Sequence, residues 1–303
     1  MLSWWYAEDH RRVVAVACVS TEAERIADRL RVAGCVRADD EAALLLGERW
    51  GTAELEGRVA RRERGEPLEW VLGWAEFDGL RLALAPGVFV PRQRTVPLAR
   101  QAASLLAASP DPQVLLDACT GCGAIACVVA RRCPDALVLA GDLDSAAVRC
   151  AAQNGRRYGV SVVRSDILSG FPVGLRGSVR VIVGNVPYVP AGELAKMPVD
   201  AREWEPELAL SGGLDGLGVL RELAVQAGDW LGQGGRLLTE AALNQSADAA
   251  RDLEALGAFR ADVTGAGPVV YGLFARTEIA EHAASALRDV ARMRLARPLG
   301  RRV

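Results

Sequence analysis

The chain has 303 residues, half of them hydrophobic, which is enough for one large domain and a small one with a sizeable core. A formal net charge of −2 gives no global field for nucleic-acid binding. No apolar run approaches the roughly 20 residues of a membrane helix, and the odd count of seven cysteines argues against a disulfide framework. We therefore expect a cytoplasmic protein that does not enter a membrane.

Helical patterns come first in the chain. A capping box opens a helix at Thr21, and Asp39 is placed to cap a second one. A third helix carries Leu55 and Val59 at helical spacing. These patterns predict a small helical domain over residues 1–75.

The hydrophobic period then changes. After an Asp78-Gly79 turn, Leu80, Leu82 and Leu84 occupy alternate positions, which predicts a half-buried strand. We interpret residues 76–90 as a β-hairpin that links two domains.

An α/β pattern occupies residues 91–276. Short apolar runs alternate with helical stretches, which is typical of a parallel sheet covered by helices. The last two runs are instead joined by a Gly-rich turn and predict an antiparallel hairpin at the sheet edge. The predicted strands are Val114–Leu116, Leu137–Ala140, Val160–Val163, Val179–Val183, Arg236–Thr239, Ala261–Thr264 and Val269–Ala275.

The last stretch, residues 277–303, is rich in arginine. We interpret it as a solvated helix with a frayed end, and a phosphate-contacting tail is the alternative.

A glycine-containing loop after the first strand of the sheet predicts a nucleotide-type site. In Cys119-Thr120-Gly121-Cys122-Gly123, the glycines let the backbone approach a ligand, and the next helix presents free N–H groups. Asp142 ends the following strand, where a carboxylate can accept both hydroxyls of a ribose. The same loop satisfies a loose dinucleotide fingerprint, so nicotinamide binding and a purely structural turn stay open.

Two features favour S-adenosylmethionine as the ligand of this loop. Asp117, at the end of the first strand, can face a cationic sulfonium group, and the terminal hairpin suits a methyltransferase better than a dehydrogenase. Asp166 and Ile167 are placed to set the adenine edge, although Asp166 can also be a simple strand-end cap.

Cys119 and Cys122 form one C-x-x-C pair. No second pair exists, and His10 and His282 are the only imidazoles in the sequence. We interpret both cysteines as small residues that fill the loop, and we expect no metal site.

The segment Asn185-Val186-Pro187-Tyr188 ends another apolar strand and predicts the catalytic site. The Asn185 side-chain oxygen and the Val186 carbonyl can each accept one N–H of a planar nitrogen. Pro187 biases Val186 toward an extended conformation that aims this carbonyl, and the Tyr188 ring can pack on the nitrogen's plane. Such a set would act by orientation and by stabilising developing charge.

This segment resembles the Asn-Pro-Pro-Tyr signature of amino and amide N-methyltransferases. From about Glu22 to Arg276, the chain resembles the HemK/PrmC-like protein-(glutamine-N5) methyltransferases, which methylate the glutamine of a Gly-Gly-Gln motif in peptide-chain release factors. The landmarks that carry the resemblance are Glu66–Gly73, Phe89–Arg92, Thr120–Ile125, Asp142, Asn185–Tyr188 and Glu205–Gly216.

The chain departs from the family pattern at three places. Val186 stands at the first proline of the signature, which keeps the carbonyl but loosens the loop. Cys119 and Cys122 stand where the family usually has glycine and threonine. Gln93-Arg94 follows Pro91-Arg92 where the family usually has an acidic pair, so a changed substrate is a hypothesis.

The resemblance implies a seven-stranded, Rossmann-like class I methyltransferase domain and an N-terminal helical domain that recognises the protein substrate. It implies transfer of a methyl group from S-adenosylmethionine to the N5 atom of a protein glutamine, in a release factor. Separately, we expect a monomer, and the net charge of −2 favours a protein that does not bind nucleic acid directly. The alternatives are an N6-adenine nucleic-acid methyltransferase, a small-molecule N-methyltransferase, and a non-catalytic module that binds S-adenosylmethionine or a ribosomal partner. The residues implicated in the cofactor site are Asp117, Cys119, Thr120, Gly121, Cys122, Gly123, Asp142, Asp166, Ile167 and Asn185.

Overall fold

A computed structural model describes residues 21–108, 113–256, 258–263 and 269–274. The arginine-rich stretch and the strand ends expected at Thr264 and Ala275 lie outside these residues. The chain divides into two compact units, and the smaller one contains residues up to Gly73 together with Val199–Trp204. No described helix has the length and apolarity to cross a lipid bilayer.

The smaller unit is helical. Its largest fully buried side chains include Ile26, Leu30 and Leu45, and Val59 is also fully buried, so apolar faces of successive helices meet in one core. The helices are α1 (residues 21–32), α2 (Ala38–Gly47), α3 (Thr52–Glu63), α4 (Leu68–Leu72) and α8 (Val199–Trp204).

The predicted cap at Asp39 is wrong. Helix α2 begins one residue earlier, at Ala38, and Arg37 occupies the N-cap position. Asp39 therefore lies in the first turn, where its charge favours the positive end of the helix dipole, and it accepts a hydrogen bond from Arg31 at 3.1 Å.

The larger unit begins with a hairpin of strands β1 (Trp74–Phe77) and β2 (Leu80–Ala83). Its turn residues Asp78 and Gly79 both have positive φ angles, 49° and 72°, as a two-residue hairpin turn requires. Leu80 and Leu82 are buried, so the strand predicted from their alternation is confirmed.

A seven-stranded sheet forms the centre of the larger unit, in the order β5-β4-β3-β6-β7-β9-β8. All pairs are parallel except those of β9, which is antiparallel to β7 and β8. The strands are β3 (Val114–Ala118), β4 (Leu137–Asp142), β5 (Ser161–Arg164), β6 (Val179–Gly184), β7 (Leu231–Glu240), β8 (Ala258–Val263) and β9 (Val269–Phe274). This confirms the predicted α/β fold and its antiparallel edge hairpin.

Helices flank this sheet. They are α5 (Val96–Ala107), α6 (Ala124–Arg132), α7 (Ser145–Gly155), α9 (Glu207–Leu210), α10 (Gly218–Trp230) and α11 (Ser246–Ala255). Short 3₁₀ turns occur at Gln93–Thr95, Arg156–Tyr158, Val173–Leu175, Ala191–Lys196 and Leu243–Gln245.

The register of the sheet brings three strand ends together. Asp117 of β3 pairs with Ala140 of β4 on one side and with Val183 of β6 on the other. The loop after β3, Asp142 at the end of β4 and Asn185 after β6 therefore meet at one edge, where open α/β sheets bind their ligands.

Candidate active site

A cavity of about 440 Å³ opens at this edge of the sheet. Its lining contains nine of the residues that the sequence pointed to: Cys119, Thr120, Gly121, Cys122, Asp142, Asp166, Ile167, Asn185 and Pro187. Asp117, Gly123, Val186 and Tyr188 are not part of its described lining. The first group is therefore placed to contact a ligand, and each member of the second group lies close in the chain to residues that line the cavity.

The loop after β3 is held in a tight, left-handed path. Cys119, Gly121 and Gly123 have φ angles of 54°, 57° and 84°. A side chain at position 123 would place its Cβ 3.2 Å from the Ala151 Cα, a tight contact, so both the positive φ angle and the packing favour glycine here. Cys119 adopts a conformation that few residues other than glycine adopt, which is consistent with its replacing a glycine of the family pattern.

Burial raises the pKa of the Cys119 thiol and that of the Cys122 thiol. Both thiols are therefore neutral, and a neutral thiol is a poor nucleophile and a poor metal ligand. Their interpretation as residues that fill the loop stays a prediction.

Asp142 presents a carboxylate to the cavity. Its Oδ2 atom accepts a hydrogen bond from the Gly121 N–H at 2.8 Å, and Oδ1 accepts one from the Asp144 N–H at 3.0 Å. Burial raises the pKa of Asp142. Each oxygen keeps acceptor capacity after its backbone contact, so the carboxylate fits the vicinal hydroxyls of a ribose.

Asp117 has a different position from the one expected. Its carboxylate is fully buried beneath the loop, where Oδ2 accepts hydrogen bonds from the Thr120 hydroxyl at 2.6 Å and from the Ala126 N–H at 3.0 Å. Desolvation raises the pKa of Asp117 to about 7. In this position the Asp117 carboxylate does not contact a ligand in the cavity, so the expected contact with a sulfonium ion is not seen. We instead infer that Asp117 holds the loop against α6.

The wall beside β5 contains Asp166 and Ile167. Asp166 is exposed, whereas Ile167 is buried with a φ angle of 51°, a strained value for a β-branched residue. Glu222 of α10 faces the same space, and burial, followed by the nearby Asp166, raises its pKa. These residues can accept from an exocyclic amine while Ile167 packs on an adjacent ring.

Asn185 lies where β6 ends. Its Nδ2 atom donates to the Thr95 hydroxyl at 3.4 Å, and its Oδ1 atom is buried with no hydrogen-bond partner among the described residues. A buried acceptor without a partner is costly in a folded protein. This atom can therefore accept a hydrogen bond from a ligand that enters the cavity.

The other members of the motif have different surroundings. The Val186 side chain is buried in the core beneath the sheet edge, and Pro187 lines the cavity. The Tyr188 hydroxyl accepts from Arg94 at 2.8 Å and donates to Glu240 at 3.0 Å. Burial and the Glu240 charge raise the pKa of Tyr188 to about 12, so it stays a neutral donor.

The segment after Glu205 holds the motif in place. The Val189 N–H donates to the Leu210 carbonyl and the Gly212 N–H donates to the Val189 carbonyl, both at 2.9 Å. Gln245 donates from Nε2 to the Tyr188 carbonyl at 3.0 Å. The segment Glu205–Gly216, which carries part of the family resemblance, thus supports the segment Asn185–Tyr188.

Sequence reasoning missed three groups at the site. Thr95 and Glu240 contact the motif, and Glu205 accepts from the Arg92 guanidinium at 2.6 Å and from the Val90 N–H at 3.1 Å. A signal existed for Glu240, because it is a carboxylate at the end of a strand, as Asp142 is. Thr95 gave no such signal, because a single threonine after Gln93-Arg94 forms no distinctive pattern.

Comparison with known proteins finds methyltransferases among the matches. The model of the methyltransferase small domain matches residues 81–199. A second model, of the GHMP kinase C-terminal region, matches residues 220–292, whose described part forms the remaining strands of the same sheet. The catalytic domain of human Mettl16, solved with an RNA hairpin, is 13% identical with a TM-score of 0.50 over 77% of this chain and 80% of that chain, which shows the fold alone.

Two curated relatives are informative. The 4-amino-L-phenylalanine/4-methylamino-L-phenylalanine methyltransferase of Streptomyces pristinaespiralis is 40% identical over 60% of this chain, and the match spans 63% of that enzyme's length. The release factor glutamine methyltransferase of Moorella thermoacetica is 36% identical over 77% of this chain and 88% of that enzyme. On the extent and identity of this second match, the chain belongs to the release factor glutamine methyltransferase family.

Proposed function

We propose that this protein transfers a methyl group from S-adenosylmethionine to the side-chain amide nitrogen of a glutamine in a protein, in the Gly-Gly-Gln motif of a peptide-chain release factor. The observation that carries the proposal is the buried Asn185 Oδ1 atom, which has no partner among the described residues and lies at the cavity that the loop after β3 also lines. A primary amide offers the N–H groups that such an acceptor needs.

The chain's own residues fit the donor. Asp142 would hold the ribose hydroxyls, and Thr120, Gly121 and the start of α6 would hold the remainder of the nucleoside and amino-acid portions. Ile167 and Asp166 would meet the adenine. When bound there, S-adenosylmethionine supplies an electrophilic methyl group on a sulfonium ion.

The acceptor residues act by orientation. Asn185 Oδ1 would accept one N–H of the glutamine amide and the Val186 carbonyl the other, so that the nitrogen lone pair points along the line of transfer. As the nitrogen–methyl bond forms and the sulfur–methyl bond breaks, positive charge grows on the nitrogen. Both oxygens stabilise that charge, and the nitrogen then loses one proton to water.

The proposed partner also sets the place of action. Release factors work in translation, so we place the enzyme in the cytoplasm and propose that it acts as a monomer on a protein partner.

Two measurements test this proposal together. Isothermal titration should show S-adenosylmethionine binding, and labelled methyl should appear in an intact release factor but not in a variant whose Gly-Gly-Gln glutamine is replaced by alanine. Labelling that is equal in both release factors would refute the substrate assignment, and no cofactor binding would refute the reaction.

A second candidate function is N-methylation of an aromatic amine on a free amino acid. The match to the 4-amino-L-phenylalanine methyltransferase suggests it, and Arg94 gives it a structural basis. The Arg94 side chain is 60% exposed beside the motif, although it also pairs with Glu240 at 3.2 Å. A guanidinium is well suited to bind the carboxylate of an amino acid, which the acidic pair of the family pattern is not.

The two candidates differ in their response to Arg94. For an amino-acid acceptor, Arg94→Gln should raise KM for 4-amino-L-phenylalanine about tenfold or more, because a charge-assisted hydrogen bond is lost. For a release factor acceptor, the same variant should methylate the protein with a KM within about threefold of the parent's. Undetectable methylation of the small amine by the parent would remove this candidate.

A further inference from the structure

Beyond the motif itself, the site contains a buried chain of polar groups that ends on Asn185. Glu240 ends β7 and is 1% exposed. Its Oε2 atom accepts a hydrogen bond from the Thr95 hydroxyl at 2.8 Å. Thr95, 3% exposed, in turn accepts one from Asn185 Nδ2 at 3.4 Å.

The direction of these bonds follows from chemistry. A hydroxyl has a single proton, and an ionised carboxylate can only accept, so the Thr95 proton is committed to Glu240. Toward Asn185 the Thr95 oxygen can then only accept. This requirement selects the amide orientation in which Nδ2 faces Thr95 and Oδ1 faces away from it.

We propose that Thr95, fixed by Glu240, is a positioning residue that sets the orientation of the Asn185 amide. The inference rests on the proposed function, because it concerns Asn185 Oδ1, the atom that would accept a hydrogen bond from the glutamine amide. In the opposite orientation, Asn185 would present its own N–H groups to the N–H groups of the glutamine amide. Two hydrogen-bond donors would then face each other. Thr95 therefore controls whether the catalytic amide can accept at all.

Glu240 also anchors the far end of the motif. Its Oε1 atom accepts from the Tyr188 hydroxyl at 3.0 Å and from Arg94 at 3.2 Å. One buried carboxylate thus fixes both the first and the last residue of the segment Asn185–Tyr188. The arrangement gives the loop rigidity at a position where Val186 has replaced a proline.

The test compares two substitutions at one position. Thr95→Val keeps nearly the same shape but removes the hydroxyl, and we expect kcat for methyl transfer to fall about 10- to 100-fold, with KM and cofactor affinity within about threefold of the parent's. Thr95→Ser restores the hydroxyl and should recover kcat to within about threefold. Thr239→Val is the matched control. Thr239 is a buried threonine of β7 whose hydroxyl donates to the Glu240 carbonyl at 3.4 Å, and its replacement should leave kcat unchanged.

A double-mutant cycle ties the effect to the amide. In an Asn185→Ala background, Thr95→Val should cost no further activity, since the group that it orients is gone. Full additivity of the two losses would overturn the inference. So would a Thr95→Val enzyme with undiminished kcat, or a Thr95→Ser enzyme as slow as Thr95→Val.

A spectroscopic readout keeps the inference testable without turnover. The side-chain amide signal of Asn185 can be assigned by its loss in Asn185→Ala. Its hydrogens should exchange with solvent slowly in the parent and in Thr95→Ser, and at least about tenfold faster in Thr95→Val. Equal exchange in all three would refute the orientation, whereas failure of methyl transfer alone would refute only the proposed function.

Discussion

At the scale of single residues, two aspartates at neighbouring strand ends have different roles because their surroundings differ. Asp142 lines the cavity with both oxygens contacted by backbone N–H groups. Asp117 is fully buried and contacts the loop from beneath. From sequence position alone, both were predicted to contact the ligand. The sequence could not distinguish them, because the burial of a residue at a strand end depends on the path of the loop that follows.

Asp117 predicts a pH dependence of stability. The folded protein keeps a proton on Asp117 up to about pH 7, whereas the unfolded chain releases it near the ordinary value of 3.8. The folded state thus binds more protons in this interval, so the free energy of unfolding falls as pH rises, by up to about 4 kcal/mol from this group. Asp117→Asn cannot titrate and should lose that part of the slope.

Denaturant unfolding of both proteins at a series of pH values between 4 and 7 measures this difference. The exposed Asp135→Asn variant, which should keep the slope of the parent, serves as control. Parallel curves for Asp117→Asn and the parent would show that the pKa of Asp117 is not raised in the folded protein.

Asp142 predicts the affinity for the donor. Asp142→Ala removes the carboxylate that would accept the ribose hydroxyls, and hydrogen bonds to a charged group contribute about 1.5–3 kcal/mol each. We expect the Kd for S-adenosylmethionine to rise about 10- to 100-fold in calorimetry. The pKa of Asp142 is raised, so as the pH is lowered, the affinity of the parent for S-adenosylmethionine should begin to fall at a higher pH than it would with an ordinary aspartate. An unchanged Kd in Asp142→Ala would show that Asp142 does not contact the donor.

At the scale of elements, the segment Asn185–Tyr188 depends on a close approach of backbones. Gly216 has a φ angle of 81°, and a Cβ there would lie 2.2 Å from Gln245 Nε2 and 2.3 Å from the Tyr188 carbonyl. Gly213, in the same segment, has a φ angle of 89° but no atom within 4 Å of such a Cβ. Alanine substitutions at the two positions therefore distinguish the cost of backbone strain from the cost of a steric clash.

We expect Gly213→Ala to cost about 1–2 kcal/mol of stability, which is the strain of a left-handed residue, with nearly normal kcat. Gly216→Ala should cost at least about 2 kcal/mol more and lower kcat about tenfold or more, because Tyr188 and its neighbours must shift. Thermal unfolding and steady-state kinetics measure both effects. Similar losses in the two variants would mean that the Gln245 contact does not hold the motif.

The strands of the sheet were largely predictable, because apolar runs of the right length mark them. Strand β8 begins at Ala258, three residues before its predicted start, and the largest difference is at strand β7, which begins at Leu231 and not at Arg236. Three glycines in its first half hide its strand propensity, and the register against β6 shifts between Val179 and Val181. The polar chain through Thr95 and Glu240 was not predictable, as it joins residues 145 positions apart that only the folded sheet brings together.

At the scale of the whole molecule, the chain combines a helical unit with a class I methyltransferase unit, as the resemblance implied. The donor site, the motif and the segment that supports it all belong to the methyltransferase unit. The motifs of this unit are local in sequence and could be recognised one by one. The sequence does not determine the methyl acceptor, because Arg94 and Val186 depart from the family pattern where the substrate would lie.

The most direct measurement of the central claim is mass spectrometry of a release factor incubated with this protein and S-adenosylmethionine, with the modified residue located by fragmentation. We predict one added methyl group on the side-chain amide of the Gly-Gly-Gln glutamine, formed by the parent and lost with Asn185→Ala, while that variant still binds the donor. An unmodified glutamine after incubation with a parent protein that binds S-adenosylmethionine would contradict the account, and so would a methyl group located on another residue.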